Sequence, residues 1–206
     1  MSARRYGPAL EGLALLAITF PLAVGLHLST LWFVAPLAVV TFAKRPYPEY
    51  GLCFDRAGSV GFHITVVALV FIPYAIGHAL LAHWWLGTHF QFQLPPNLFR
   101  SVIDQLLLIA LPEEFFFRGY LQTQFDQVWG RPYRLLGADV GIGLPLAAAF
   151  FAVCHVLFGG PARLIVFFPG ILYGWLRART GTIAVPTLYH AFSNLLMQVM
   201  LVSLSV

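Results

Sequence analysis

Long apolar runs alternate with short polar connectors along almost the whole chain. The runs cover residues 13–42, 61–85, 98–125, 138–158, 164–176 and 182–203. About 20 apolar residues suffice for a helix to cross a bilayer, so these runs predict membrane-spanning helices. The first run is too long for one span and is interrupted by His27, Ser29 and Thr30, which predicts a hairpin of two short spans. The run of residues 164–176, which is the sixth predicted span, is short and predicts a helix that starts earlier and bends at Pro169.

The pattern as a whole predicts an all-α, polytopic transmembrane helix bundle of about seven spans. Basic residues cluster in alternate connectors, as Arg4-Arg5, Lys44-Arg45, Arg131 with Arg134, and Arg177 with Arg179. Connectors rich in Lys and Arg stay in the cytoplasm. This alternation predicts a cytoplasmic N-terminus and an external C-terminus. The connector of residues 83–97, which has no Lys or Arg, is then external, and the lone Arg100 and Arg163 are expected near the outer interface.

Composition supports a membrane protein. Of the 206 residues, 59% are hydrophobic and 10% are charged, whereas soluble domains carry about 25% charged residues. Lys and Arg outnumber Asp and Glu by 12 to 8. They lie in short clusters between apolar runs, so we expect the lipid bilayer as their partner and no nucleic acid.

Cys53 and Cys154 are expected to be free thiols. The first apolar run is too long for a signal peptide and is expected to be retained.

The fourth predicted span, residues 98–125, carries charges at its centre. Glu113, Glu114 and Arg118 lie inside an apolar stretch, directly after Pro112. One charge at the centre of a bilayer costs at least ~2.5 kcal/mol, and ionisable residues in spans are functional by default. Three charges together therefore predict that this stretch contains the functional centre.

The two adjacent carboxylates are expected to differ in role. Glu114 and Arg118 are four residues apart, so they share a helix face and can pair. Glu113 points about 100° away around the helix. We therefore expect Glu114 to make Arg118 tolerable in the membrane, and Glu113 to face a cavity as a spare carboxylate. Pro112 cannot donate a hydrogen bond to the carbonyl of Leu108, which predicts a bend that admits water.

Two other runs carry polar side chains in their interiors. His155 lies in the fifth predicted span, residues 138–158. In the seventh predicted span, residues 182–203, His190, Asn194 and Gln198 follow at intervals of four and form one polar stripe, with Ser193 beside it. Each of these groups alone also has a structural interpretation, because His and Asn hydrogen-bond between membrane helices. No role is assigned to His27, His63, His78, His83 and His89.

Together these side chains suit the hydrolysis of a peptide bond by activated water. A carboxylate in apolar surroundings can take a proton from water near neutral pH. A histidine can share that proton or orient the water. A second histidine and an amide can donate hydrogen bonds to an oxyanion. Glu113, His155, His190 and Asn194 are therefore the candidate catalytic residues, with no nucleophile from the protein.

Three motifs in this order resemble those of a known family. Glu113-Glu114-x-x-x-Arg118, Phe151-x-x-x-His155 and His190-x-x-x-Asn194 look like the motifs of the CPBP (Abi) intramembrane endopeptidases, which include the Ras-converting CAAX proteases. The resemblance covers roughly residues 98–201. We therefore expect a single membrane domain over residues 1–206, with generic N-terminal spans in residues 1–97 and a catalytic core in residues 98–206.

The resemblance implies a role for each motif residue. Glu113 is implied as the base that activates water, with His155 assisting, and His190 and Asn194 as oxyanion donors. Glu114 with Arg118 is implied as the supporting pair. We expect no cofactor. The catalytic residues then lie on spans four, five and seven. The implied substrate is a membrane-anchored or lipidated protein cut near its C-terminus. Some bacterial members serve protein sorting in the inner membrane, and others are linked to bacteriocin self-immunity.

Other classes of function stay open. Glu113, His155 and His190 are a legitimate zinc-ligand set, which predicts an intramembrane metalloprotease, although the chain has no H-E-x-x-H. A proton-coupled transporter or a membrane chaperone could use the same charges as a relay, and a scaffold or immunity protein could retain the motifs without using them. Transporters usually show duplicated halves, whereas these polar motifs occur once.

The predicted spans leave one geometric difficulty. Glu113 falls near the middle of the fourth span, whereas His155 falls near the outer end of the fifth. The two residues can meet only if the fifth span is longer and tilted, or if a deep cavity opens to one side.

Overall fold

The computed structural model describes residues 2–53 and 56–205 and consists mainly of helices. Met1 and Val206, at the predicted domain limits, lie outside the described residues, as do Phe54 and Asp55. The helices are α1 (Ser2–Gly25), α2 (Leu31–Phe42), α3 (Val60–Leu86), α4 (residues 98–129), α5 (Gly143–Gly159), α6 (Phe167–Thr180) and α7 (Ala184–Ser203). The strands are β1 (His89–Phe90), β2 (Tyr133–Leu135), β3 (Ala138–Val140) and β4 (Leu204–Ser205), and 3₁₀ turns occupy Tyr47–Tyr50 and Pro161–Val166.

The described helices form a bundle, as the apolar runs predict. Among the described residues, three segments are long and apolar enough to cross a membrane, by length and composition: Arg5–Gly25, Val60–Leu86 and Ala184–Ser203. α2 and α5 are apolar but shorter, with 12 and 17 residues. The bundle is confirmed, and the number of spans stays a prediction.

The first apolar run is divided as predicted. α1 ends at Gly25, and the turn that follows contains His27 in a left-handed conformation, with φ of 54°. The backbone N–H of Leu28 donates to the carbonyl of Ala23, and α2 begins at Leu31. The polar residues that interrupt the run therefore form the α1–α2 turn.

The helix that carries the three charges, α4, changes its hydrogen-bonding pattern on both sides of Pro112. Asp104–Ala110 and Phe115–Leu121 have the wider i→i+5 bonding of a π-helix, and Leu111–Glu114 between them is α-helical. Proline has no N–H for the carbonyl four residues earlier, and π-segments often occur at functional sites. α4 also continues past the predicted end at Phe125. Asp126 and Gln127 are polar but remain helical, and the helix ends at Trp129, directly before Gly130.

Two other predictions about the helices differ from the structure. Residues 138–140 are not the start of the fifth span but strand β3, which pairs with β2 in a hairpin. Leu136 and Gly137 turn the chain there with positive φ, and local turn geometry outweighs the apolar character of the segment. Pro169 does not bend the sixth span. It lies in the first turn of α6, where a backbone N–H has no intrahelical acceptor, so a proline costs the helix no hydrogen bond.

The connectors predicted on one side of the membrane meet at one end of the bundle, which we call the basic end. There the N–H of Ile183 donates to the carbonyl of Gly51 at 3.0 Å, and Arg177 Nη2 donates to that of Glu49 at 2.8 Å. At the opposite end, which we call the outer end, β1 pairs with β4. β1 belongs to the 83–97 connector and β4 lies near the C-terminus. Their pairing therefore agrees with the prediction that both are external.

The core is aromatic and surrounds the middle of α4. The Trp32 ring lies 4.8 Å from that of Phe116 and 5.3 Å from that of Phe117, and Phe117 packs on Phe151 at 5.1 Å. Every residue from position 114 to position 125 is buried. The charged stretch is therefore at the centre of the fold.

Candidate active site

Glu114 lies at the centre of a buried ion-pair network. Its carboxylate is fully buried, and Oε1 accepts hydrogen bonds from Arg118 Nη1 at 2.9 Å and from His190 Nδ1 at 2.8 Å. The pairing of Glu114 with Arg118 agrees with the helical spacing. The contact with His190 was not predicted. It joins α4 to α7 and holds the imidazole in one orientation.

Arg118 is enclosed on its other sides by rings and a carbonyl. Its guanidinium carbon lies 4.2 Å from the ring centroid of Phe151 and 5.3 Å from that of Tyr173. Nη2 faces the carbonyl oxygen of Gly170 at 3.4 Å. The cation is therefore stabilised by a carboxylate and by two aromatic faces, which is how a charge can persist in an apolar interior.

The second carboxylate, Glu113, is in different surroundings. Its side chain is 16% exposed, and its buried Oε2 atom has no hydrogen-bond partner in the described part of the chain. Nε2 of His190 lies 3.9 Å from this Oε2 atom. His190 thus stands between the two carboxylates, with Nδ1 at Glu114 and Nε2 towards Glu113.

The His190 ring is held by stacking as well as by its hydrogen bond to Glu114. It stacks on Tyr173 with a centroid distance of 5.1 Å and an interplanar angle of 14°. The Tyr173 hydroxyl donates to Ser193 Oγ at 2.7 Å, and Ser193 donates to the carbonyl of Tyr189. Ser193, noted in the sequence only as a neighbour of the polar stripe, therefore anchors the tyrosine that supports His190.

His155 faces the same cavity as Glu113. His155 Nδ1 lies 2.9 Å from the carbonyl oxygen of Phe151, one turn earlier in α5. A carbonyl can only accept, so Nδ1 carries the proton and Nε2 of the neutral ring is an acceptor. Glu113 and His155 both line a cavity of about 340 Å³. The cavity resolves the geometric difficulty, because it connects the middle of α4 with the outer end of α5.

The walls of this cavity come from both halves of the chain. α1, α2 and the turn between them supply Phe20, Ala23, Val24, His27, Ser29 and Trp32; α4 supplies Ile109, Glu113 and Phe117; and α5 supplies Cys154, His155 and Phe158. Sequence reasoning treated the first 97 residues as generic and assigned His27 no role. The polar interruption of the first apolar run was the available signal.

Asn194 lies one turn beyond His190 and hydrogen-bonds to a residue that sequence reasoning missed. Its Nδ2 donates to Oε1 of Gln105 at 2.8 Å. Gln105 lies eight residues before Glu113 on α4, and a lone amide in an apolar run was the signal for it. The structure thus brings Glu113, Glu114, His155 and His190 together, and it holds Asn194 through Gln105 on the outer side of His190.

A second, much smaller cavity lies on the basic side of Arg118. It measures about 10 Å³ and is lined by Arg118, Gln122, Thr123, Asp126, Arg131, Arg177 and Ala178. Burial raises the pKa of Asp126 to about 6, and the neighbouring Arg131 and Arg177 oppose this shift. Burial also lowers the pKa of Arg177 to about 10. Asp126 lies just beyond the predicted end of the fourth span, and Arg177 just beyond that of the sixth.

The structure also shows how the candidate zinc ligands Glu113, His155 and His190 lie relative to one another. Within residues 2–53 and 56–205, no group of three His, Cys, Asp or Glu side chains is placed so that it could hold a metal ion. Nε2 of His190 lies 3.9 Å from Oε2 of Glu113, and His155 and Glu113 line the same cavity.

Comparison with known proteins assigns the class. The family model described as type II CAAX prenyl endopeptidase, Rce1-like, matches residues 95–196, which include all three motifs. No curated protein and no solved structure matches the chain. The chain belongs, through this C-terminal half, to the CPBP (CAAX protease) family, as the motifs predicted. This is a family of membrane-embedded proteases that act on membrane-anchored proteins.

Proposed function

We propose that the protein is an intramembrane glutamic endopeptidase of a bacterial inner membrane. It hydrolyses one peptide bond near the C-terminus of a membrane-anchored or lipidated protein, as a protein-sorting protease does. The observation that carries the proposal is the position of Glu113. It is a carboxylate with an unpaired oxygen, located on the wall of a cavity that also contains His155 and lying 3.9 Å from Nε2 of His190.

Glu113 acts as the general base in this proposal. It takes a proton from a water molecule in the cavity, and the resulting hydroxide attacks the carbonyl carbon of the substrate. When the tetrahedral intermediate collapses, the C–N bond breaks and Glu113 gives its proton to the leaving nitrogen, so that the products are a carboxylic acid and an amine. Nε2 of His155, left as an acceptor by the Nδ1 contact with Phe151, orients the same water. General-base catalysis of this kind contributes about 10²–10⁴ to a rate.

The charges of the site favour a shared proton between Glu113 and His190. Glu114 and Arg118 cancel each other. A proton on His190 with Glu113 ionised leaves the site neutral, and so does a proton on Glu113 with His190 neutral. The proton can therefore move between these two groups without burying any net charge, which an apolar site would oppose.

His190 can donate to an oxyanion only when both ring nitrogens carry protons, because Nδ1 already donates to Glu114. The ionised Glu114 stabilises that imidazolium. Asn194 has a second N–H besides the one given to Gln105. Two donors would then face the developing negative charge, and the Glu114–Arg118 pair would support one of them.

The test is cleavage of a C-terminally anchored, tagged substrate by the purified protein in liposomes. Glu113→Gln should lower the cleavage rate at least 100-fold and leave the fold intact, since the amide is isosteric but cannot act as a base. Arg100→Ala, which alters an exposed pair on the same helix, is the matched control and should keep wild-type activity. Wild-type cleavage by Glu113→Gln would refute the mechanism.

We also propose that the reaction needs no metal ion. Cleavage should persist after dialysis against chelators, and metal analysis of the active protein should find less than one zinc per chain. Loss of activity with a chelator, restored by Zn²⁺, would instead support the metalloprotease with Glu113, His155 and His190 as ligands.

A further inference from the structure

We infer that the substrate reaches Glu113 from the outer end of the bundle, past the α1–α2 turn, so that the protease cuts a segment presented on the non-cytoplasmic face of the membrane. This inference rests on the proposed function and adds the side of entry and the class of substrate.

The route from the basic end is closed. From Glu113 towards that end, α4 is buried on all sides for three turns, since every residue from position 114 to position 125 is buried. Phe116, Tyr120 and Leu121 are fully buried there. Tyr120 also donates its hydroxyl to Glu11 of α1, and the Tyr50 ring from the connector after α2 lies 5.8 Å from the Tyr120 ring. A peptide could not pass this layer without opening the core.

The route from the outer end is open. The cavity that contains Glu113 extends to His27 and Ser29 in the α1–α2 turn and to Phe158 in the last turn of α5. His27 and Phe158 are exposed, whereas Glu113 at the inner end of the cavity is only slightly so. The cavity is therefore a passage from the outer end to the carboxylate, and its rim is formed by His27 and Ser29.

Charge assigns the two ends to the two sides of the membrane. Lys44, Arg45, Arg131 and Arg134 lie in connectors of the basic end, whereas the connector of residues 87–97 at the outer end has no Lys or Arg. Connectors rich in Lys and Arg remain in the cytoplasm. The mouth of the cavity therefore faces the non-cytoplasmic side.

The lining indicates what enters. Apolar and aromatic side chains form most of the wall, and the polar atoms are concentrated at Glu113, His155 and the rim. A volume of about 340 Å³ is at the lower end of the range for ligand cavities and suits a few residues of an extended chain. The geometry thus fits an apolar segment of an exported, membrane-anchored protein, with its scissile bond carried to mid-helix depth.

Side-specific labelling tests the route without requiring activity. In a background of Cys53→Ser and Cys154→Ala, whose activity is measured first, His27→Cys is compared with Arg134→Cys, an exposed position at the basic end. A bulky, membrane-impermeant thiol reagent is added to sealed vesicles of known orientation. It should label position 27 only from the non-cytoplasmic side and position 134 only from the cytoplasmic side. Labelling of position 27 from the cytoplasmic side alone would overturn the inference.

Cleavage by the labelled proteins separates this inference from the proposed function. The reagent at position 27 should lower the cleavage rate at least 10-fold, and the reagent at position 134 should not change it. Unlabelled protein in oriented liposomes should cut a substrate offered only at the non-cytoplasmic face. If it cuts only a substrate offered at the cytoplasmic face, the route is wrong and the endopeptidase stands. If the detergent-solubilised protein cuts no anchored substrate at all, the proposed function fails first.

Discussion

Nδ1 of His190 lies 2.8 Å from Oε1 of Glu114, the same oxygen that accepts a hydrogen bond from Arg118 at 2.9 Å. One buried carboxylate thus holds a cation from its own helix and an imidazole from α7. The contact gives Glu114, the second glutamate of the motif, a structural role that is separate from the catalytic role proposed for Glu113. It also makes the consequences of removing Glu113 and Glu114 different.

Glu114→Gln should lower both stability and activity. The substitution leaves Arg118 as an unpaired buried charge and weakens the hold on His190, and loss of one partner of a buried pair costs about 3–5 kcal/mol. Thermal unfolding of the detergent-solubilised protein measures the first effect, and cleavage of an anchored substrate measures the second. Glu113→Gln is the matched comparison and should lose activity with little change in melting temperature. Equal melting temperatures for wild type and Glu114→Gln would contradict the assignment.

Gln105→Leu should lower the turnover rate through Asn194. Gln105 accepts from Nδ2 of Asn194, so its removal frees the amide to rotate away from the oxyanion position. Loss of one oxyanion donor costs about 10²–10³ in turnover, so Asn194→Ala should show that loss and Gln105→Leu a smaller one. In the Asn194→Ala background, Gln105→Leu should have no further effect. Additive losses in the double variant would show that Gln105 does not act through Asn194.

Gly119→Ala should destabilise the bundle. A Cβ atom at Gly119 would lie 2.7 Å from the backbone carbonyl oxygen of Tyr50 and 2.8 Å from the Phe115 ring. Overpacking of this kind typically costs about 1–3 kcal/mol. Gly77→Ala in α3 is the control, because a Cβ there meets nothing within 4 Å. It should be neutral or stabilise by up to about 1 kcal/mol, and the reverse order of melting temperatures would refute the packing argument.

Glu11→Gln should weaken the attachment of α1. The Glu11 carboxylate accepts from both terminal nitrogens of Arg45 at 2.7 Å, from Gln124 at 2.8 Å and from the Tyr120 hydroxyl. Hydrogen bonds to a charged group are worth about 1.5–3 kcal/mol, so several weakened contacts should lower the melting temperature measurably. Asp104→Asn disrupts the exposed pair with Arg100 and should change stability by less than about 1 kcal/mol. A larger effect at Asp104 than at Glu11 would contradict this ranking.

Asp126 should make stability depend on pH between about 4 and 6. Its folded-state pKa of about 6 lies above the ordinary value of 3.8, so the folded protein binds the proton more tightly than the unfolded chain does. The stability from that proton is fully present below pH 3.8 and is lost as the pH rises through 6. Asp126→Asn should flatten the melting-temperature profile in this window, whereas Asp139→Asn, at an exposed site of the same end, should retain the wild-type slope. An unchanged profile in Asp126→Asn would refute the assignment.

Much of the site could be predicted from local spacing. The four-residue interval between Glu114 and Arg118 implies a shared helix face, and the structure has the pair at 2.9 Å. The three motifs led to the family, and a family model matches residues 95–196. The polar interruption at His27 predicted the α1–α2 hairpin. These features depend on helix geometry and on the cost of charges in an apolar run, both of which are readable along the chain.

The chain by itself thus determined a helical bundle, the clustering of its basic connectors and the residues that carry the charges. Tertiary structure alone decided that His190 binds Glu114, that Gln105 holds Asn194, and that α1 and α2 form half of the cavity wall. An apolar helix has no strongly marked face in its sequence, so the neighbour it packs against is set by the shapes of side chains from distant segments. The cavity at Glu113 arises from that packing, and with it the side from which the carboxylate can be reached.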